Sequence, residues 1–189
     1  MRKFSVRPAI TLKGRQFKGL RGFAGKPFHP PLTDIPIAAY VIAAALDVIS
    51  VIGGKSHGWS REFWHAATYV FIAGAIVSVF TALTGLFDWW RSTEAGTQAR
   101  RTANIHALIM VGVTVAVLVN IALRLNSYHT DAYTPVGIMI FSVVIAAFVA
   151  WGATYGGSLV FDYGFNVETA GDSPVWHPSE TDVFPGDKH

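Results

Sequence analysis

Four apolar runs carry most of the pattern in this chain. Hydrophobic residues dominate positions 32–52, 63–90, 104–123 and 135–160, and only short polar stretches separate them. Runs of roughly twenty residues or more suffice to cross about 30 Å of hydrocarbon at 1.5 Å per residue, and they are too long and uniform for ordinary soluble helices. No series of alternating segments of about ten residues, the mark of a transmembrane β-barrel, is present. The pattern predicts an all-α, integral membrane four-helix bundle with short loops. It divides into a head (1–28), a four-helix domain (29–161) and a tail (162–189).

The punctuation of the runs agrees. His29-Pro30-Pro31 introduces the first and Gly53-Gly54 ends it, and Pro36 is expected in or near the first turn, where a missing N–H costs little. Trp64 and Tyr69 mark one interface of the second run and Trp89 and Trp90 the other. Gly74, Ser78 and Ala82 recur every four residues there, a small-residue stripe that lets another helix approach closely. Arg124 closes the third run, and Gly156-Gly157 reads as the end of the fourth.

Composition strengthens the membrane reading. Of the 189 residues, 51% are hydrophobic and 14% charged, against about 25% charged in soluble domains, and mean hydropathy is +0.38. The absence of cysteine excludes disulfides, thiolate metal sites and a cysteine nucleophile. Met1–Phe28 is polar and basic and shows no apolar signal segment. Phosphate-cradling glycine loops, nucleophile elbows and HExxH are also missing, so the chain is not expected to be an enzyme by itself. No nucleic-acid motif accompanies the basic head.

Charge placement gives an orientation. With four crossings, head, tail and the loop after Trp90 share a side. That side holds eight Lys/Arg in the head, three in the loop (Arg91, Arg100, Arg101) and one in the tail, against Lys55, Arg61 and Arg124 opposite. The excess predicts both termini in the cytoplasm. The head either lies on anionic lipid or only sets topology. The tail, with six acids, one lysine and three prolines, is expected to be extended.

Ionisable groups at membrane depth need a partner or a purpose. Antiparallel threading sorts them into two layers. The cytoplasmic layer gathers His29, Asp34, Asp88, His106 and Asp162. Two imidazoles at similar depth on different helices suit axial ligation of a haem b iron. Asp88 would then orient a ligand histidine, and Arg100 and Arg101, with Arg91 and Lys26, would pair with propionates. The same groups also suit a quinone headgroup, or a cofactor-free hydrogen-bonded cluster in which Asp34 and Asp162 take part. The outer layer holds Asp47, His65 and Asn120, with His57 and His129 in loops. An Asp47–Asn120 hydrogen bond between the first and third spans is expected there. A His57/His65/His129 metal site is a weaker alternative, lacking HxxH or HxxxH spacing.

Several motifs together resemble a family. His29-Pro30-Pro31-Leu32-Thr33-Asp34-Ile35-Pro36 resembles an HPxLxDxP opening, Thr84-Gly85-Leu86-Phe87-Asp88-Trp89 a TGxxDW element, and Gly156 to Gly164 a closing GGxLVxxxG, with His106 at the start of the third span. This set is similar to the bacterial domain-of-unknown-function 2231 family of predicted membrane proteins, over about residues 25–167. Some relatives are fused to Rieske-type or cytochrome-type domains, which implies a place in membrane electron transfer. The resemblance therefore implies a small subunit of an electron-transfer complex, embedded in the bilayer beside protein partners. The alternatives are a cofactor-free accessory subunit that docks partners through its charged termini, and a small-solute or proton transporter.

Overall fold

A computed structural model describes residues 19–20, 27–165 and 167. The basic head and the expected extended acidic tail fall almost wholly outside the described residues. Four helices, α1 (His29–Gly53), α2 (Trp59–Ser92), α3 (Gln98–Ser127) and α4 (Val136–Phe161), follow one another, with a 3-10 turn at Gly54–Ser56. All four are long and apolar enough to cross a membrane. Each starts or ends a few residues beyond its expected run. At 34 residues, α2 is about 50 Å long and must project beyond the hydrocarbon.

The helices run antiparallel in a ring. Helix α1 packs on α2 and α4, and α3 on α4 and, least extensively, α2. Thus α1 and α3 lie diagonally. One end of the bundle holds His29, the α2–α3 loop and the C-terminus of α4. The other holds the α1–α2 and α3–α4 connections.

Polarity is distributed as lipid requires. Ile42, Ile49, Ile76, Leu83, Leu108, Val115 and Phe148 face outward, whereas Asp47, Ser50, Thr68, Asn120, Arg124 and Ser142 are buried. An apolar exterior needs no cover in hydrocarbon, so interior positions are free to hold the polar groups that specify packing. The apolar core between the two ends is Tyr40, Ala43, Ala67, Phe71, Val113, Val117, Ile145 and Val149.

Close approach of α1 and α2 explains the small-residue stripe. A Cβ at Gly74 would meet the Ala39 methyl at 2.8 Å, so only glycine lets the backbones come this near. One turn on, Ser78 Oγ shares a 2.7 Å hydrogen bond with Tyr40 Oη, and the Tyr40 ring stacks on Phe71. Pro36 departs from expectation. The helix begins at His29, which puts Pro36 inside it, buried. A proline there cannot donate to the carbonyl four residues back. That orphaned acceptor, Leu32 O, takes the Thr81 hydroxyl of α2 at 3.2 Å.

At the end away from His29 the interior carries an ion pair with no exposure on either side chain, Arg124–Asp47. The expected direct Asp47–Asn120 bond is replaced by a relay. Arg124 donates through Nη2 to Asp47, through Nε to Asn120 Oδ1, and to Thr68 Oγ1 and Ser142 Oγ at 3.3 and 2.9 Å. Its guanidinium lies over Phe71 and Trp64, 4.5 and 4.9 Å from the ring centroids. The second Asp47 oxygen accepts from Thr134 Oγ1 at 3.0 Å. Ser50 Oγ accepts the Thr134 N–H at 2.9 Å and donates to Ser60 O at 2.7 Å. Arg124 is therefore not a loop charge, and of the three basic residues expected on this side only Lys55 and Arg61 are exposed.

The Pro36–Thr81 relation is testable. Thr81→Val strands the Leu32 carbonyl and is expected to cost about 1–3 kcal/mol. In a Pro36→Ala background the restored helical N–H satisfies that carbonyl, so the same substitution should cost clearly less. Reversible denaturation in detergent measures both; equal costs in the two backgrounds would contradict the account.

Candidate functional site

The end of the bundle that holds the termini gathers the residues singled out for chemistry. His29 opens α1 and His106 lies two turns into α3, so the two imidazoles come from diagonal helices at one end. Each is seated against a glycine of the next helix. A Cβ at Gly85 would lie 2.6 Å from His29 Cε1, and one at Gly156 would lie 3.2 Å from His106 Cε1. The glycines of the Thr84-Gly85 and Gly156-Gly157 elements thus clear space for the rings.

Hydrogen bonds fix the state of both rings. His29 Nδ1 is 3.0 Å from Thr81 O, with Thr84 Oγ1 at 3.3 Å. His106 Nδ1 is 2.9 Å from Gly152 O. A carbonyl oxygen only accepts, so Nδ1 must carry the proton in each case. In a neutral ring the lone pair then sits on Nε2. Among the described residues neither Nε2 has a hydrogen-bond partner. Two anchored imidazoles at one end of the bundle, each with an unused nitrogen lone pair, can ligate a metal centre or accept from a polar headgroup.

The other expected members sit elsewhere. Asp88 is buried on α2, but its Oδ1 accepts the Leu20 N–H at 2.8 Å. Both histidines are oriented by carbonyls of α2 and α4 rather than by this carboxylate. The Leu20 carbonyl in turn accepts the Phe28 N–H at 3.1 Å, so a piece of the head turns back onto the end of α2. Asp34 and Asp162 are exposed. Arg100 stacks on Trp89, 3.7 Å from its centroid, and donates to Thr93 Oγ1. Arg101 is exposed, and Lys26 lies outside the described residues. Trp89 also donates to Asn104 Oδ1 at 2.7 Å, tying α2 to α3 across the loop.

At the opposite end the imidazoles are scattered. His57 Nδ1 pairs with Gly53 O at 3.0 Å and His65 Nε2 with Tyr128 O at 3.1 Å. Among the described residues no three His, Cys, Asp or Glu side chains gather into a group able to hold a metal ion. The His57/His65/His129 site does not assemble. The element that sequence reasoning missed is the anchoring of His29 and His106 to Thr81 O and Gly152 O. Main-chain acceptors leave no mark in side-chain patterns. The glycine four or fewer residues away in each facing helix was the available signal.

Comparison with known families places the chain. A family model described as predicted membrane protein (DUF2231) matches residues 25–169. The match covers all four helices, and the protein belongs to this family. No curated protein and no solved structure matches it.

The seating of the rings has a measurable consequence. Gly85→Ala must displace His29 and break its Nδ1–carbonyl bond, worth about 1 kcal/mol. Gly112 has nothing within 4 Å of an added Cβ, so Gly112→Ala is the neutral reference. Unfolding in detergent should find Gly85→Ala less stable than Gly112→Ala by about that amount; equal stabilities would mean that the ring is not held there.

Proposed function

We propose that this protein is a membrane subunit of an electron-transfer system, with His29 and His106 as the residues that would hold the iron of a b-type haem. The observation that supports the reading is the shared state of the two rings. Both donate Nδ1–H to a backbone carbonyl, the arrangement that orients ligand imidazoles and raises their basicity, and both keep an Nε2 lone pair. The donor set suits haem iron, which takes two neutral imidazole nitrogens. A bound haem would supply a one-electron couple. The chain's own residues would do the rest: Thr81 O and Gly152 O hold the rings, and Gly85 and Gly156 make room for them. Arg101, exposed and without a partner among the described residues, would be free to pair with a propionate.

The excess of Lys/Arg on the side of the termini favours a cytoplasmic location for that end. With Arg124 withdrawn into the bundle, the bias is stronger than a count along the sequence gives. An electron-transfer role requires a partner that carries a second redox centre.

A second reading is a cofactor-free accessory subunit. One observation favours it: His29 joins α1 to α2 and His106 joins α3 to α4, so each ring already serves as a link between neighbouring helices. The absorption spectrum separates the two. Protein expressed with ample haem and purified in mild detergent should show a Soret band that His29→Ala and His106→Ala each abolish and His57→Ala leaves unchanged. A wild-type spectrum without that band, from folded protein, contradicts the haem reading and leaves the accessory one.

A further inference from the structure

We propose that the lipid-facing surface of α2 at the end bearing the termini is a binding site for an anionic phospholipid, its phosphate held by Arg91 and Arg100. A groove of about 340 Å³ is lined by Leu83, Leu86, Phe87, Trp89 and Trp90, and its walls are almost wholly apolar. Leu83, Leu86 and Trp90 are more than half exposed. Residues 83, 86, 87 and 90 share one helical face. The groove extends along about 10 Å of helix, at 1.5 Å per residue, a length that suits the upper part of an acyl chain.

What identifies the occupant is the rim. The two indoles that close the groove each lie beneath a guanidinium: Arg100 over Trp89 at 3.7 Å and Arg91 over Trp90 at 5.7 Å. Arg100 is also tied through Nη1 to Thr93 Oγ1, which holds its position and leaves N–H groups unused. Among the described residues, the ion pair present is Arg124–Asp47 at the far end of the bundle, so neither arginine has a carboxylate partner there. A lipid whose net charge is negative completes both halves of this surface, with tail on the apolar strip and phosphate at the rim where the two stacked guanidiniums lie. A soluble anion would leave the groove empty, and a zwitterionic lipid would bring its own cation to the rim.

The test uses the full chain in vesicles that contain brominated acyl chains on either phosphatidylglycerol or phosphatidylcholine. Bromine quenches nearby tryptophan, so relative quenching reports which lipid occupies the groove. Phosphatidylglycerol is expected to quench more strongly. Its advantage should fall about five-fold for Arg91→Gln and again for Arg100→Gln. Arg101→Gln removes the same charge from the same loop without touching an indole, and it should retain the preference. Circular dichroism checks that each variant keeps its helices. Equal quenching by the two lipids overturns the proposal. So does an Arg101→Gln loss as large as that of Arg100→Gln, which would mean a diffuse basic surface and no site.

Discussion

The Asp47–Arg124 pair is the constraint around which the bundle is arranged. Removing two charges from water into a medium of low dielectric costs several kcal/mol per ion even after relaxation, and attraction offsets this only when the remaining donors and acceptors are satisfied. That condition recruits every helix. Helix α1 contributes Asp47 and Ser50, α2 Thr68 and the Trp64 ring, α3 Arg124 and Asn120, and α4 Ser142, while Thr134 closes the set from the last connection. Because α1 and α3 are diagonal, the pair ties two helices that are not neighbours in the ring. Shifting any helix by one residue would strip Arg124 of a partner in a place where no water replaces it. Lipid-facing leucines and isoleucines tolerate such a shift, since one apolar surface in hydrocarbon resembles another. The polar interior therefore sets register where hydrophobicity cannot.

The same economy of acceptors recurs at the opposite end in a different form. There the buried polar groups are satisfied mainly by backbone: Thr81 O for His29, Gly152 O for His106, the Leu20 N–H for Asp88. Where Arg124 spends four hydrogen bonds, each imidazole spends one, and a ring nitrogen remains over. At one end the buried ion pair has its hydrogen bonds met by side chains of every helix, and it specifies the fold. The other retains bonding capacity, and the proposed cofactor site lies there. At this same end the Trp89 and Trp90 indoles carry their stacked arginines, and the proposed lipid site lies there.

Much of the architecture could be read directly from the residues. Long apolar runs exceed what a soluble helix needs, so four helices and their order follow from hydrophobicity alone. The pairing of His29 with His106 at one end follows from counting antiparallel crossings. The partners of the polar residues were less legible. Arg124 ends a hydrophobic run, where a cation is ordinarily a topology signal. Its burial depends on α3 continuing to Ser127 and on Asn120 standing one turn earlier on the same face. Asp34 and Asp88 look alike as carboxylates near helix ends, yet one faces outward and the other inward, a difference of helical phase that only packing decides. Pro36 read as a helix start because the chain offers prolines at 30 and 31 as well. The structure shows that the first two open the helix and the third serves a contact to Thr81.

A double-mutant cycle on the ion pair tests the central claim most directly. Unfolding free energies in detergent would be measured for Asp47→Asn, Arg124→Met and the combination. Each single change leaves a buried group without its counterpart and is expected to cost about 3–5 kcal/mol, with the double variant costing far less than the sum. Additive effects, or single changes of less than about 1 kcal/mol as for an exposed pair, would show that the charges do not hold α1 to α3.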